Sequence, residues 1–197
     1  QFLLSEPEQS LMEWLEAHLP PDCGICRRHF YITIQDKATW RKRRAFLEAL
    51  SDLGLTLYGP HTWTVPEIAG PLASNYAGRM LDYDTELSRV YASSEININL
   101  FHTQCRRAAN ARIYDVLACG GFLITDDNSG LHDEFIDGEH LVVARSPEEM
   151  REKAAYYLNH PDLRKQIAEA GQKLVLERHT YRHRLRQLLD IAELGGS

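Results

Sequence analysis

The helix predicted over residues 110–119 carries two residues whose chemistry could hold a ligand. Arg112 and Asp115 are three positions apart, and this spacing places two side chains on one face of a helix. A carboxylate held there can accept two hydrogen bonds from the vicinal hydroxyls of a ribose. The other interpretation is a surface acid that pairs with Arg112. The spacing alone favours the surface pair, so both interpretations stay open.

A loop between a predicted strand and a predicted helix, from Thr125 to Leu131, is the second candidate binding segment. Free N–H groups at the start of a helix, here at Ser129, favour an anion such as a pyrophosphate, and Gly130 lets a ligand approach the backbone. Asp126 and the acid after it would repel a phosphate, so they favour contact with sugar hydroxyls or capping of the helix. An ordinary turn without a ligand is the alternative.

Two glycines follow the predicted helix over residues 110–119, and Gly121 is the second of them. A glycine at positive φ closes a helix end, which explains one member of the pair. Close approach of the backbone to a bound nucleotide would explain the other. The helix end is the larger reason for the pair, and Gly121 is kept as a candidate contact.

Two short patterns resemble metal or redox sites without the context that such sites need. Cys23 and Cys26 form a single CxxC before a predicted strand, whereas a redox pair opens a helix after a strand and a zinc site needs a second pair. Asp82 and Asp84 form a DxD at the start of a predicted helix, where acids cap free N–H groups. No metal site is therefore expected.

The chain has 197 residues and a formal net charge of −6. This acidic balance disfavours nucleic acid as the main ligand, because phosphate binding needs a basic surface. No apolar run approaches the roughly 18 residues of a membrane span, and no secretory signal opens the sequence, so a cytoplasmic location is expected. The first residue is Gln1, which suggests a fragment of a longer protein.

Strands and helices alternate from residue 30 to residue 158, which predicts βαβ units and a parallel sheet of the α/β class. Ligands of such sheets bind at the carboxyl ends of the strands. An amphipathic helix is predicted before this region, over residues 5–19, with Leu11, Leu15 and Leu19 on one face. The predicted strands cover residues 30–34, 55–58, 95–101, 122–125 and 140–144, and the predicted helices cover 39–53, 82–93, 110–119, 130–136 and most of the chain from 146 onward.

Four segments carry a resemblance to a known family: residues 90–100, 110–126, 129–135 and 179–184. The most specific one reads Asn-Ala-Arg-Ile-Tyr-Asp-Val-Leu-Ala-Cys-Gly-Gly-Phe-Leu-Ile-Thr-Asp. The chain resembles the carboxyl-terminal domain of CgeB-like (spore-maturation type) glycosyltransferases, a branch of the group 1 type family with GT-B architecture. The resemblance implies a Rossmann-like nucleotide-sugar-binding domain over residues 29–197. Residues 1–28 resemble nothing in that family and are expected to form a helical lead-in or hinge.

The resemblance implies a transferase of hexosyl or similar groups that binds a nucleotide diphosphate sugar and uses neither a metal nor another cofactor. At the position of Asp115 the family has a glutamate that contacts the ribose, so the same contact is implied here with a side chain one methylene shorter. The first acid of the family's E-x7-E pair is replaced by Arg107. A cation for the diphosphate is implied after the first predicted strand, where Arg44 matches better than Lys37 and Arg41.

The resemblance also implies a partner. In GT-B enzymes the acceptor side and the catalytic base usually lie on an amino-terminal domain, so no catalytic residue is assigned here. The isolated chain is expected to bind a donor and to transfer no sugar. A nucleotide-binding or scaffold module of the same fold, without transfer activity, is the alternative.

Overall fold

The structure is a computed structural model that describes residues 26–105 and 107–194 together with the single positions 13, 17, 18 and 24. It confirms the α/β class, because a parallel sheet of three strands carries helices on both faces. Most of the helix predicted over residues 5–19 lies outside the described residues, and so does Cys23. No described helix is both long enough and apolar enough to cross a membrane.

Three parallel strands form the sheet in the order β1-β2-β3. They are β1 (Asn97–Asn99), β2 (Leu123–Asp126) and β3 (Val142–Ala144). The register pairs Ile98 with Ile124 and Ile124 with Val142. Every residue of β2 is buried, as expected for a central strand that is covered on both faces. The strands predicted over residues 95–101, 122–125 and 140–144 are confirmed, the first and last with shorter bounds.

Helix α1, Arg27–Glu48, includes the residues for which a strand is predicted, 30–34, so that prediction is wrong. Gln35 and Thr39 are buried four positions apart on this helix, and both hydrogen-bond to Thr103 in the loop after β1. These long-range contacts share one helical face, and they outweigh the β preference of a short β-branched and aromatic run. α1 also begins before the predicted domain boundary, which stays a prediction.

The strand predicted over residues 55–58 is reduced to one bridge, between Leu57 and Tyr76. Nδ2 of Asn75 donates to the carbonyl of Leu55 at 3.0 Å, so a side chain takes an acceptor that a neighbouring strand would use. β1 is therefore an edge strand, and its side away from β2 borders a cavity.

The remaining elements are helical. The helix predicted over residues 82–93 begins later than expected, the one predicted over 110–119 is confirmed, and the one predicted over 130–136 is a single 3-10 turn. The helices are α2 (Pro66–Ala69), α3 (Leu87–Ser93), α4 (Ala111–Ala118), α5 (Pro147–Leu158), α6 (Pro161–Arg178) and α7 (Tyr181–Leu194), with 3-10 turns at His61–Thr64, Gly70–Asn75 and Ser129–Leu131.

The start of α5 follows the capping pattern in the sequence. Ser146 Oγ accepts a hydrogen bond from the Glu149 N–H at 3.1 Å, and Pro147 occupies the first turn. The Glu149 carboxylate accepts a hydrogen bond from the Arg145 N–H at 2.7 Å. The helix predicted from residue 146 is confirmed, because its start depends only on neighbouring residues.

Two apolar clusters hold the layers together. One joins α1 and α5 to the sheet through Phe46, Met150 and Ile124. The other joins α4 and α6 to the opposite face and includes Leu117 and Val175. Burial of each large apolar side chain contributes about 1.5–3 kcal/mol. Because helices close both faces, a ligand can reach the sheet only at its edges.

Candidate functional site

The carboxyl ends of the strands meet at one edge of the sheet, which a chain of side-chain hydrogen bonds organises. Asn99 Nδ2 donates to Thr125 Oγ1 at 3.0 Å, and Asn110 Nδ2 donates to Asn99 Oδ1 at 3.0 Å. Asn99 and Thr125 are completely buried. Thr125, a predicted ligand contact, is therefore enclosed by the protein, where it joins β1 to β2 and supports the residue at the start of α4.

Asp126 ends β2 and is buried, and each of its carboxylate oxygens has a partner. Its Oδ1 accepts a hydrogen bond from the Phe101 N–H at 2.8 Å, and its other carboxylate oxygen forms an ion pair with Lys42 of α1. Burial raises the pKa of Asp126, whereas the charge of Lys42 lowers it. Both oxygens are occupied, so the predicted contact with sugar hydroxyls finds no support here. The ion pair instead ties α1 to the carboxyl edge of the sheet.

The loop after β2 uses its polar groups internally. The Gly130 N–H donates to Asn128 Oδ1 at 3.0 Å, so one N–H group at the start of this 3-10 turn is bonded within the loop. A side chain at Gly130 would collide with the backbone of Arg107, which explains the glycine by packing. Ser129 is exposed at the start of the 3-10 turn, and Leu131 lies in the apolar core.

Gly121 lies near the opposite edge of the sheet, because it comes just before β2. The glycine pair ends α4 with two hydrogen bonds, from the Gly120 N–H to the Leu117 carbonyl at 2.9 Å and from the Gly121 N–H to the Val116 carbonyl at 3.0 Å. Gly120 has a φ of 74°, as this kind of helix end requires. A side chain at Gly121 would lie 2.7 Å from the Asn97 amide. The helix end and close packing explain both glycines.

The consecutive basic residues of α1 have different surroundings. Arg44 Nε bonds to Glu48 Oε1 at 2.7 Å, and its guanidinium lies against Gly70. Arg43 reaches the carboxyl end of β1, where its Nη2 donates to the Leu100 carbonyl at 3.2 Å. The structure therefore places Arg43 at the edge where the sequence predicts Arg44.

Arg43 and Arg112 both line a cavity of about 700 Å³. The cavity lies along the free side of β1, between α1, residues 53–58 and α3. Leucine, isoleucine and valine residues make up about half of its lining, and the two arginines, Tyr91 and Glu95 are among the residues that bring polar groups to it. A cavity of this volume that combines apolar walls with polar groups can hold a small organic ligand.

The two arginines concentrate positive charge at the carboxyl end of β1. Within the described residues neither Arg43 nor Arg112 forms an ion pair. Burial lowers the pKa of Arg43, the charge of Arg112 lowers it further, and the charge of Asp126 raises it. A bound anion would relieve the repulsion between the two guanidinium groups.

Asp115 and Arg112 interact electrostatically on α4, as their spacing predicts. Burial raises the pKa of Asp115, and the charge of Arg112 lowers it. The two side chains form no ion pair, and the Asp115 carboxylate accepts no hydrogen bond from the described residues. Burial raises the pKa of Tyr91, a cavity residue that the sequence does not indicate, and the charge of Arg112 lowers it.

The helical phase of α1 contains the signal that identifies Arg43. Arg43 lies four positions after Thr39 and three before Phe46, and both of these residues are buried. Such spacings place the three side chains on the side of the helix that faces the sheet. Tyr91 has no comparable signal, because its contact with Arg112 depends on how α3 packs against α4.

Among the described residues, no group of three His, Cys, Asp or Glu side chains is arranged to hold a metal ion. Asp82 Oδ1 accepts hydrogen bonds from the Thr85 N–H at 2.8 Å and from the Thr85 hydroxyl at 2.6 Å. This carboxylate of the DxD pattern thus caps a turn ahead of α3. Cys23 lies outside the described residues, so the prediction for the CxxC pair stays a prediction.

Comparison with known proteins identifies a family. The model of a family described as glycosyl transferase-like matches residues 41–190, more than half of the chain. The matched residues include the whole sheet as well as Arg43, Arg112 and Asp115. Neither the curated proteins nor the solved structures contain a match to the chain.

Proposed function

The chain belongs to this glycosyl transferase-like family, and we propose that it is the donor-binding domain of a metal-independent transferase of the CgeB-like group. The proposed donor is a nucleotide diphosphate sugar. The observation that carries the proposal is the pair Arg43 and Arg112, which line one cavity and form no ion pair within the described residues.

The arginine pair suits the diphosphate of such a donor. Each guanidinium can donate two parallel hydrogen bonds to phosphate oxygens. The leaving diphosphate gains negative charge during transfer, and fixed cations stabilise that charge without a metal. Because the two cations repel each other in the free protein, an anion between them replaces repulsion with attraction.

Asp115 would bind the ribose of the same nucleotide. It lies three positions after Arg112 on α4, so a diphosphate at Arg112 brings the nucleoside to the same helix face. An ionised carboxylate can accept hydrogen bonds from both ribose hydroxyls. The Asp115 oxygens accept no hydrogen bond from the described residues, which supports their use by a ligand.

The free edge of β1 offers contacts to the nucleobase. The Asn97 N–H donates to the Phe122 carbonyl, and in a parallel ladder alternate residues direct their peptide groups to opposite sides. Ile96 and Ile98 therefore direct N–H and C=O groups toward the cavity. Apolar side chains beside these peptide groups can cover the faces of a base while the peptide groups bond to its polar rim.

The acceptor side of the reaction would lie on a second, amino-terminal domain. The proposed donor domain spans residues 29–197, and the cytoplasmic location stays a prediction. We expect residues 1–197 alone to transfer no sugar. Clear glycosylation of an acceptor by this chain alone would contradict the proposal that the acceptor side lies on another domain. Slow hydrolysis of the donor would not contradict it.

Calorimetric titration with UDP, GDP, CDP and dTDP tests the donor site. We expect one of the four to bind with the same affinity with and without a chelator. Arg43→Ala and Arg112→Ala should each weaken binding by about 1.5–3 kcal/mol, the scale of hydrogen bonds to charged groups. Arg44→Ala is the matched control, because it removes the same charge from the same helix and should leave the affinity unchanged.

Three results of this titration would contradict the proposal. They are no binding of any of the four nucleotides, a strict requirement for magnesium or manganese, and an equal loss of affinity in Arg44→Ala. Nucleotide binding in a complete two-domain protein that transfers no sugar would favour the scaffold module instead.

A further inference from the structure

Helix α7 carries an apolar stripe that no described residue covers. Leu185, Leu188 and Leu189 are 60%, 62% and 61% exposed, and their spacing places them on one side of the helix. The helix is attached at its first turn, where Arg184 Nη2 lies 2.9 Å from Glu134 Oε2. Beyond that turn, residues 185–192 are all exposed.

An exposed apolar stripe of this kind indicates that another element packs against it. An isolated helix of this length is marginal in water, and most helical stability in proteins comes from packing of the apolar face. Arg182 and Arg186 flank the stripe on one side, and neither forms an ion pair with a described residue. The missing partner should therefore combine an apolar face with acidic groups.

Residues 5–19 of the same chain have this combination in their sequence. Leu11, Leu15 and Leu19 share one face of the predicted helix, and no lysine or arginine occurs in residues 1–26. Residues 13 and 17 are helical and exposed, and their phase places them opposite the leucine face. The acids of the segment are Glu6, Glu8, Glu13 and Glu16.

Length and reach also fit. A helix over residues 5–19 would be about 22 Å long, close to the length of α7. The seven residues 20–26 can span up to about 25 Å before α1 begins. The first half of α1 extends past the carboxyl edge of the sheet, since Gln35 contacts Thr103. α7 starts near the same edge, beside Glu134.

We propose that the apolar face of α7 docks the acidic amphipathic helix of residues 5–19 within the same chain. The leucines of the two helices form the contact, and Arg182 and Arg186 face the acids beside it. In the docked arrangement, the helix of residues 5–19 would cover the exposed leucines of α7.

Hydrogen exchange of the full chain tests this docking. We expect the amides of residues 185–192 to be protected in the wild type. The double variant Leu11→Asp, Leu15→Asp should speed their exchange by about tenfold or more, while the amides of α4 keep their rates. Ala17→Asp adds one negative charge on the opposite face of the segment and should change nothing.

A charge exchange adds a second readout. Arg182→Glu with Arg186→Glu should lower the protection of α7, and adding Glu8→Arg with Glu16→Arg should restore it. Three outcomes would overturn the proposal: α7 amides unprotected in the wild type, protection indifferent to the leucine variant, or protection that falls on dilution of a dimer. The last outcome would assign the stripe to a second copy of the chain.

Discussion

Two adjacent residues of α1 meet the carboxyl edge of the sheet in opposite ways. Lys42 forms an ion pair with the buried Asp126, whereas Arg43 lies near Arg112 and forms no ion pair within the described residues. In the first arrangement the two charges pair with each other, so neither is available to a ligand. The second leaves two positive charges that the proposed anion would pair. At this edge, a basic side chain with an ion-pair partner in the protein has a structural role, and one without such a partner is a candidate for ligand binding. The residue type alone does not distinguish the two.

Disruption of the Lys42–Asp126 ion pair should have the largest effect, a loss of stability. Lys42→Met leaves the Asp126 carboxylate buried without its cation, so the free energy of unfolding should fall by about 3–5 kcal/mol. Urea denaturation measures this loss. Lys42→Met combined with Asp126→Asn removes both charges and should recover part of it. A loss below about 1 kcal/mol would mean that the pair behaves like a surface salt bridge.

The second-largest effect is expected on nucleotide affinity, from substitution of Asp115 beside the unpaired arginines. Asp115→Ala should weaken nucleotide binding by about 2–3 kcal/mol, because it removes the proposed acceptor of both ribose hydroxyls. Asp115→Asn keeps the shape and should lose less. A dideoxy nucleotide should bind the wild type poorly and Asp115→Ala no worse, as calorimetry can measure. Wild-type affinity in Asp115→Ala would leave the carboxylate as a surface neighbour of Arg112.

Gly130 distinguishes packing from ligand binding. The sequence predicts a ligand contact at this residue, whereas the structure shows close packing against the backbone. Gly130→Ala should lower the free energy of unfolding by about 1–3 kcal/mol, since the added methyl group collides with the backbone of Arg107. Nucleotide affinity of the folded variant should stay near that of the wild type. Unchanged stability with lost affinity would return Gly130 to the binding site.

The smallest effect is a pH dependence at Asp115. Burial raises its folded-state pKa above the unfolded value, so its stability contribution is present below the unfolded pKa and lost as the pH rises through the folded pKa. Asp115→Asn removes this dependence. The wild-type stability relative to the variant should therefore fall as the pH rises above about 4, the ordinary value for aspartate. A difference that rises with pH would show that the charge of Arg112 outweighs burial.

Elements whose signals are local could be predicted from the sequence. Ser146 and Pro147 start α5, and Gly120 with Gly121 ends α4, because caps and turns act within a few residues. The apolar runs of β2 and β3 predict buried parallel strands, and the spacing of Arg112 and Asp115 correctly predicts that they interact on one helix.

Which polar and charged groups have partners depends on long-range packing, and the sequence did not predict it. The run 30–34 is helical because Gln35 and Thr39 bond to Thr103, which is more than sixty positions away along the chain. The same packing directs Arg43 rather than Arg44 to the candidate site and encloses Asp126 with Lys42. Local sequence sets backbone preferences and spacing, whereas burial and pairing depend on segments that only the folded chain brings together.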